Sequence, residues 1–356
     1  MDKMTNPLVA LGALGQSPWY DFITRDLVTS GELARLIRDD GLLGMTTNPT
    51  IFEKAIAGSE LYDDDIRKLA AEGKRPAQIF EALAIEDVRA ACDLFMPVYR
   101  DSKGMDGLVS MEVSPTLAHD TAGTIAEAER LWSRIARPNV MIKIPGTLAG
   151  LPAITHCLAA GINVNVTLLF SVERYRQVAE AFFAGLEQRA AAGKSLVGVA
   201  SVASFFVSRV DGKVGGGSAA IANAAVAYRA FEELFATARW TALAARGAMV
   251  QRPLWASTST KDPNLPDTYY VEALIARLTV NTLPPATFAA YRDHGAPALR
   301  IGAAIAAADG VLSELRSRGI DLGQVTHTLE VEGVKSFAAS FDSLLKVIEQ
   351  KAAVLV

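Results

Sequence analysis

Eight short apolar runs recur along the chain, over residues 18–23, 41–50, 107–113, 139–147, 162–170, 196–206, 253–258 and 279–284. Runs of this length, bounded by Gly, Pro and polar residues and mostly separated by helical periodicity, read as buried strands of a parallel sheet. Eight of them with helices between fit an α/β fold, a (β/α)8 barrel with additional helices. Helical patterns are expected over residues 29–39, 51–100 with a break near 73–76, 124–136, 149–160, 171–192, 219–246, 298–318 and 334–351. At 356 residues the chain is long enough for two domains, but barrels of this size commonly form one. No linker or low-complexity tract divides it, so a single barrel domain over residues 1–356 is expected. The glycine run Gly215 to Gly217 lacks a P-loop lysine and is read as a connection rather than a phosphate cradle.

Bulk properties narrow the function. Half of the residues are hydrophobic, 21% are charged and the net charge is −4. This mild acidity argues against nucleic acid or an anionic membrane as partner. Cys92 and Cys157 fit no disulfide framework or metal spacing, and the four histidines have no ligand spacing. With no long apolar run and no charged-then-apolar leader, the expectation is a cytoplasmic enzyme without metal or cofactor.

A barrel builds its active site at the carboxyl ends of its strands, so polar residues there carry the functional reading. Lys143 lies between Ile142 and Ile144 in a run too short for a helix. Burial disfavours an ammonium, and a desolvated lysine amine can attack a carbonyl to form a Schiff base. The alternative is a strand-end lysine that snorkels to solvent or pairs with a carboxylate. Asp21, set among aromatics, and Glu112, on the third strand, are acids costly to bury without a role or a partner. Either can serve as general base for carbon–carbon cleavage. Thr46 and Asn48 present hydroxyl and amide groups at a strand mouth, or belong to an ordinary turn. Asn163, Asn165 and Thr167 alternate with apolar residues and share one face. Arg209, just past the sixth strand, can fork onto a phosphate or pair with Asp211. One lysine, two acids and several Asn, Ser and Thr side chains suit covalent amine catalysis on a polyhydroxy carbonyl compound.

Three segments resemble the signature segments of the transaldolase family, in its longer bacterial branch. They are Thr46-Thr47-Asn48-Pro49-Thr50-Ile51-Phe52, Met141-Ile142-Lys143-Ile144-Pro145 and Ile162-Asn163-Val164-Asn165-Val166-Thr167-Leu168-Leu169-Phe170-Ser171. The resemblance runs from Trp19 to the C-terminal helix. It implies that Lys143 is the Schiff-base lysine and that Asp21 takes the proton from the C4 hydroxyl in retro-aldol cleavage. Glu112 and Thr167 match the pair that holds a catalytic water. Thr46, Asn48, Asn165, Ser204 and Phe206 match substrate-contacting positions, and Arg209 a phosphate-binding arginine. Donors in the family are sedoheptulose 7-phosphate and fructose 6-phosphate; acceptors are erythrose 4-phosphate and glyceraldehyde 3-phosphate. The partners implied are therefore small sugar phosphates, on a monomer or homodimer.

The chain departs from the family where the shorter-chain branch carries a second arginine after strand seven. Here Ser257-Thr258-Ser259-Thr260-Lys261 stands, and Lys261 is the residue expected to supply the phosphate charge. A fructose-6-phosphate aldolase-like enzyme is the nearest rival, but such relatives carry glutamine and tyrosine where this chain has Glu112 and Phe206. A non-catalytic sugar-phosphate binder on a barrel is the rival from another class.

Overall fold

In the computed structural model, which describes residues 6–216 and 218–355, eight parallel strands close into a barrel in sequence order. They are β1 (Gln16–Asp21), β2 (Gly44–Thr46), β3 (Leu108–Glu112) and β4 (Val140–Pro145). The second half is β5 (Val164–Leu169), β6 (Ser201–Phe206), β7 (Arg252–Ala256) and β8 (Thr279–Leu283), with β8 pairing back onto β1. Strands β4, β5 and β6 are buried along their whole length, as expected where helices cover the outside and side chains fill the inside.

Register decides which side chains meet. Asp21 stands opposite Thr46, Glu112 opposite Lys143, and Lys143 opposite Asn165. Asp21, Thr46 and Glu112 end their strands and Lys143 lies two residues before the end of β4, whereas Asn165 is the second residue of β5. The β5–β6 register shifts between Val166 and Leu169, where Leu168 takes a left-handed φ of 60°. A non-glycine residue in that region is strained by about 1 kcal/mol or more, and the strain sits directly after Thr167.

The helices depart from the sequence reading in instructive ways. The 29–39 helix is two: Arg25–Thr29, capped by the Thr24 hydroxyl, and Glu32–Asp39, entered through Gly31 at φ 90°. The Thr-Ser pair ends one helix rather than starting the next. The β2 run is cut to three residues because Asn48 caps, and Pro49 opens, the helix Pro49–Ala57. Two further helices, Asp63–Ala71 and Pro76–Asp101, complete the 51–100 stretch. The 219–246 pattern breaks at Leu234, and Thr237 caps a new helix, Ala238–Ala244. The 196–206 run becomes strand only from Ser201. The 298–318 pattern is Ile301–Ser317, preceded by a helix missed in the sequence, Pro285–His294. Of the glycine connection, Gly215 ends the helix Ser208–Val214, and Gly217 lies outside the described residues.

The C-terminal helix, expected over 334–351, runs for 34 residues, Leu322–Leu355. It packs against Pro49–Ala57, Asp63–Ala71 and Pro76–Asp101 and reaches over the end of β5. Gly333 permits that approach: a Cβ there would stand 3.1 Å from the Leu168 side chain. The opposite, amino-terminal end of the barrel is closed by a buried polar plug. Arg252 donates to Ser17 Oγ at 2.8 Å and pairs with Asp106 at 3.0 Å. Its charge is compensated, which is what lets an arginine fill a barrel interior.

Candidate active site

At the carboxyl end of the barrel a cavity of about 460 Å³ opens. Lys143 lines it from β4, and the side chain is buried rather than snorkelling, with 4% of the residue exposed. Its Nζ donates to the Thr47 carbonyl at 3.1 Å and lies 3.5 Å from Glu112 Oε2. Above it, 5.7 Å from Nζ, is the ring centroid of Phe337 from the C-terminal helix. The carboxylate pairing weighed as the ordinary fate of this lysine is therefore present, but the carboxylate is an unusual one. The Glu112 side chain is buried, and neither oxygen has a hydrogen-bond partner.

The acids are tuned by that burial. Loss of water pushes the Glu112 carboxyl up to about 7; the Lys143 ammonium opposes the shift and Asp21 adds to it. Asp21, lining the cavity at the end of β1, is also raised by burial, against the pull of Lys143 and a hydrogen bond from Thr46. That bond, Thr46 Oγ1 to Asp21 Oδ1, is 2.6 Å, and Thr46 Oγ1 lies equally close to Thr282 Oγ1. An acid held near neutrality can accept and return a proton with little driving force lost in either direction.

The remaining expected residues divide into those that meet the cavity and those that do not. Thr167 lines it, and its buried hydroxyl has no partner. Ser204 lines it and donates to Asn165 Oδ1 at 2.6 Å. Asn165 itself is fully buried, spans Ser204 and Ser110, and does not reach the cavity. Asn48 lines it while its Oδ1 caps the following helix through the Ile51 N–H. Phe206 forms part of the wall, and the Arg209 guanidinium sits 5.1 Å from its ring centroid. The alternative partner of Arg209, Asp211, is committed elsewhere: it accepts from Ala220 N at 2.7 Å and from Tyr270 Oη at 2.9 Å. Burial alone lowers the pKa of Arg209, a half-buried cation facing the cavity.

Lys261 is not in the cavity. Ser257, at φ 56°, turns the chain after β7 so that Ser257 and Ser259 line the wall. Lys261 passes beyond them, exposed, into a neighbouring depression that shares Arg209. A further cation beside Lys143 and Arg209 lines the cavity, Lys54, one turn and a half beyond Asn48, which the sequence reading passed over. Thr282 and Phe337 were missed as well. Thr282 carried a signal, a hydroxyl near the carboxyl end of the eighth run comparable to Thr46 in the second. Phe337 carried none, because only the path of the last helix brings it over Lys143.

Comparison with known proteins gives a consistent picture. Residues 18–348 match the family model described as transaldolase/fructose-6-phosphate aldolase. The chain is 54% identical to a transaldolase of Acidothermus cellulolyticus, over 97% of this chain and 96% of that protein. It is 50% identical to a transaldolase of a Parafrankia species, over 98% of both chains. With a transaldolase of Thermobifida fusca it shares 48% identity, over 98% of this chain and 99% of that one.

Proposed function

The chain belongs to the transaldolase/fructose-6-phosphate aldolase family and its activity is that of a transaldolase, a transferase; from that premise we propose how its residues carry the reaction. Lys143 hands its proton to Glu112 and attacks the C2 carbonyl of a ketose phosphate, either fructose 6-phosphate or sedoheptulose 7-phosphate. The carbinolamine then loses its oxygen as water, with Glu112 returning the proton, to leave the Schiff base. Asp21 takes the proton of the C4 hydroxyl as the C3–C4 bond breaks, and its electrons are held as the enamine on Lys143. The aldose phosphate leaves, and an acceptor, erythrose 4-phosphate or glyceraldehyde 3-phosphate, takes the dihydroxyacetone unit by the reverse steps. Water then hydrolyses the new Schiff base.

The observation that carries this reading is the pairing of a buried lysine, 3.5 Å from a carboxylate with unpartnered oxygens, with a cavity that also holds Arg209. Glu112 at about 7 suits both directions of proton transfer. The unpartnered hydroxyl of Thr167 and oxygens of Glu112 are groups that a water between them would satisfy. Thr46 and Thr282 orient Asp21; Asn48, Ser204 and Phe206 contact the ketose; Asn165 acts through Ser204; Arg209 binds the phosphate. Lys54, rather than Lys261, supplies the second charge at the mouth. The reading takes the chain as one domain, working as a monomer or homodimer in the cytoplasm.

Borohydride reduction with fructose 6-phosphate followed by peptide mass mapping tests it. A dihydroxyacetone-derived adduct on Lys143 is expected, and adding erythrose 4-phosphate before the reductant should discharge it. An adduct that acceptor cannot discharge would indicate release of free dihydroxyacetone instead. A folded protein with no adduct would return Lys143 to a structural role.

A further inference from the structure

Lys143 loses hydrogen-bond donors as it reacts, yet carries a positive charge again once the Schiff base has formed. As an ammonium it has three N–H groups. The Thr47 carbonyl takes one at 3.1 Å, and Glu112 Oε2 stands at 3.5 Å. Ammonium and carbonyl combine to an iminium with loss of one water and no change in net charge, which leaves a single N–H on Nζ. The iminium therefore holds at most one of those two partners through a hydrogen bond. Its charge sits where Lys143 is buried, so water does not make up the difference. A partner that attracts charge without accepting a hydrogen would do so.

Phe337 is such a partner. Nζ stands over its ring, 5.7 Å from the centroid, within the distance at which the negative face of an aromatic ring attracts a cation. The ring is buried and lines the cavity. It is also held from both sides along the C-terminal helix. Before it, Glu330 pairs with Arg174 at 3.2 Å and Glu332 with Lys213 at 2.6 Å. Beyond it, Ser340 Oγ accepts from Thr50 Oγ1 at 2.9 Å. The ring is thus a fixed wall of the site rather than a loose cover. We propose that Phe337 is a further residue of the reaction, the one whose face carries the positive charge of the Lys143 iminium and so sets the balance between iminium and neutral enamine. Both states keep the Nζ–C2 bond and one N–H, so hydrogen bonds to Nζ serve them alike and the ring face separates them by charge. Favouring the iminium draws the addition of acceptor forward to the new ketose. This role rests on the Schiff-base chemistry proposed for Lys143.

Phenylalanine analogues carrying one, two or three ring fluorines, placed at position 337 of the intact chain, test it. Fluorine drains charge from the ring face stepwise and changes its shape little. At one fixed concentration of fructose 6-phosphate, borohydride traps the iminium, and the enamine is read by its reduction of hexacyanoferrate(III). The ratio of iminium to enamine signal should fall with each fluorine, by roughly fivefold or more over the three, on the scale of a desolvated cation–π contact. Phe337→Tyr, which keeps the face, should hold the ratio within about twofold of the parent, and Phe337→Leu, which keeps bulk without a face, should match the ring with three fluorines. A ratio indifferent to fluorine, even one that changes in Phe337→Leu, would make Phe337 a packing residue and overturn the proposal, as would a ratio that rises with fluorine. A parent protein that gave neither signal would sink the Schiff-base reaction and the part of the ring with it; two clear signals that ignore the ring chemistry would sink the part of the ring alone.

Discussion

The cavity over Lys143, the front, and a second cavity of about 340 Å³, the rear, lined by Phe52, Phe80, Glu112, Glu127 and Phe341 among others, are built in part from the same stretch of chain. Asn48 borders both, and the helix it caps sends Lys54 to the front and Phe52 to the rear. The front is a strand-end site, assembled by barrel register from residues on β1, β2, β4, β5 and β6. The rear is a helix site, formed between Pro49–Ala57, Pro76–Asp101, Thr121–Ile135 and the C-terminal helix. Chemistry needs precision, and the front has it because its reacting groups Asp21, Lys143 and Thr167 are carried on strands rather than on loops. The carboxylate oxygens of Glu112 are buried beside Lys143, and what it costs to keep that carboxylate dry is what makes it useful.

The comparison breaks most completely at Lys143. Lys143→Ala should cut kcat by at least about 10⁴-fold, as loss of a covalent nucleophile does. Borohydride trapping should vanish with it. Asp21→Asn comes next, lowering turnover by roughly 10²–10⁴-fold as expected for loss of a general base. It differs in kind: the Schiff base should still be trapped, now with the intact six-carbon ketose on Lys143. Mass mapping separates the two variants, and a three-carbon adduct in Asp21→Asn would remove Asp21 from the cleavage step.

How much of this was legible in the sequence follows the same division. Barrel register depends on apolar runs and their order, so the strands and the residues they carry, Asp21, Thr46, Glu112, Lys143 and Thr167, could be read locally. Helix ends depend on caps that the periodic pattern hides: Thr24, Gly31 and Thr237 moved boundaries by several residues. The position of Lys261 was not legible, because the chain turns after β7 at a single left-handed residue, Ser257. The rear cavity was invisible, since its walls come from residues near 50, 80, 112, 127 and 341 and no local spacing links them.

Glu112 itself gives a prediction on stability. Its folded pKa is raised from the ordinary 4.5 to about 7, so the folded state binds the proton more tightly than the unfolded chain does. The stabilisation this provides is full below about pH 4.5 and is lost as pH rises through about 7. A shift of this size corresponds to about 3 kcal/mol. Urea unfolding at pH 5 and pH 8 should show that decline in the parent and not in Glu112→Gln, whose amide cannot ionise. A decline of equal size in the variant would take the titration away from Glu112 and point to Asp21, the other acid raised by burial.

The smallest effects sharpen the charge contrast. Arg209 is half-buried on the Phe206 ring, so Arg209→Leu removes a desolvated fork and should raise KM for fructose 6-phosphate by about 10–100-fold, on the scale of a charged hydrogen bond. Lys54 is exposed at the mouth, where solvent and salt screen it. Lys54→Met should raise the same KM only several-fold, and the difference from the parent should disappear near 1 M salt, where the Debye length is about 3 Å. If Lys54→Met proved as damaging as Arg209→Leu and equally so in high salt, Lys54 would have to close down onto the phosphate when substrate binds, and the front cavity would be a less preformed site than its strand-end construction implies.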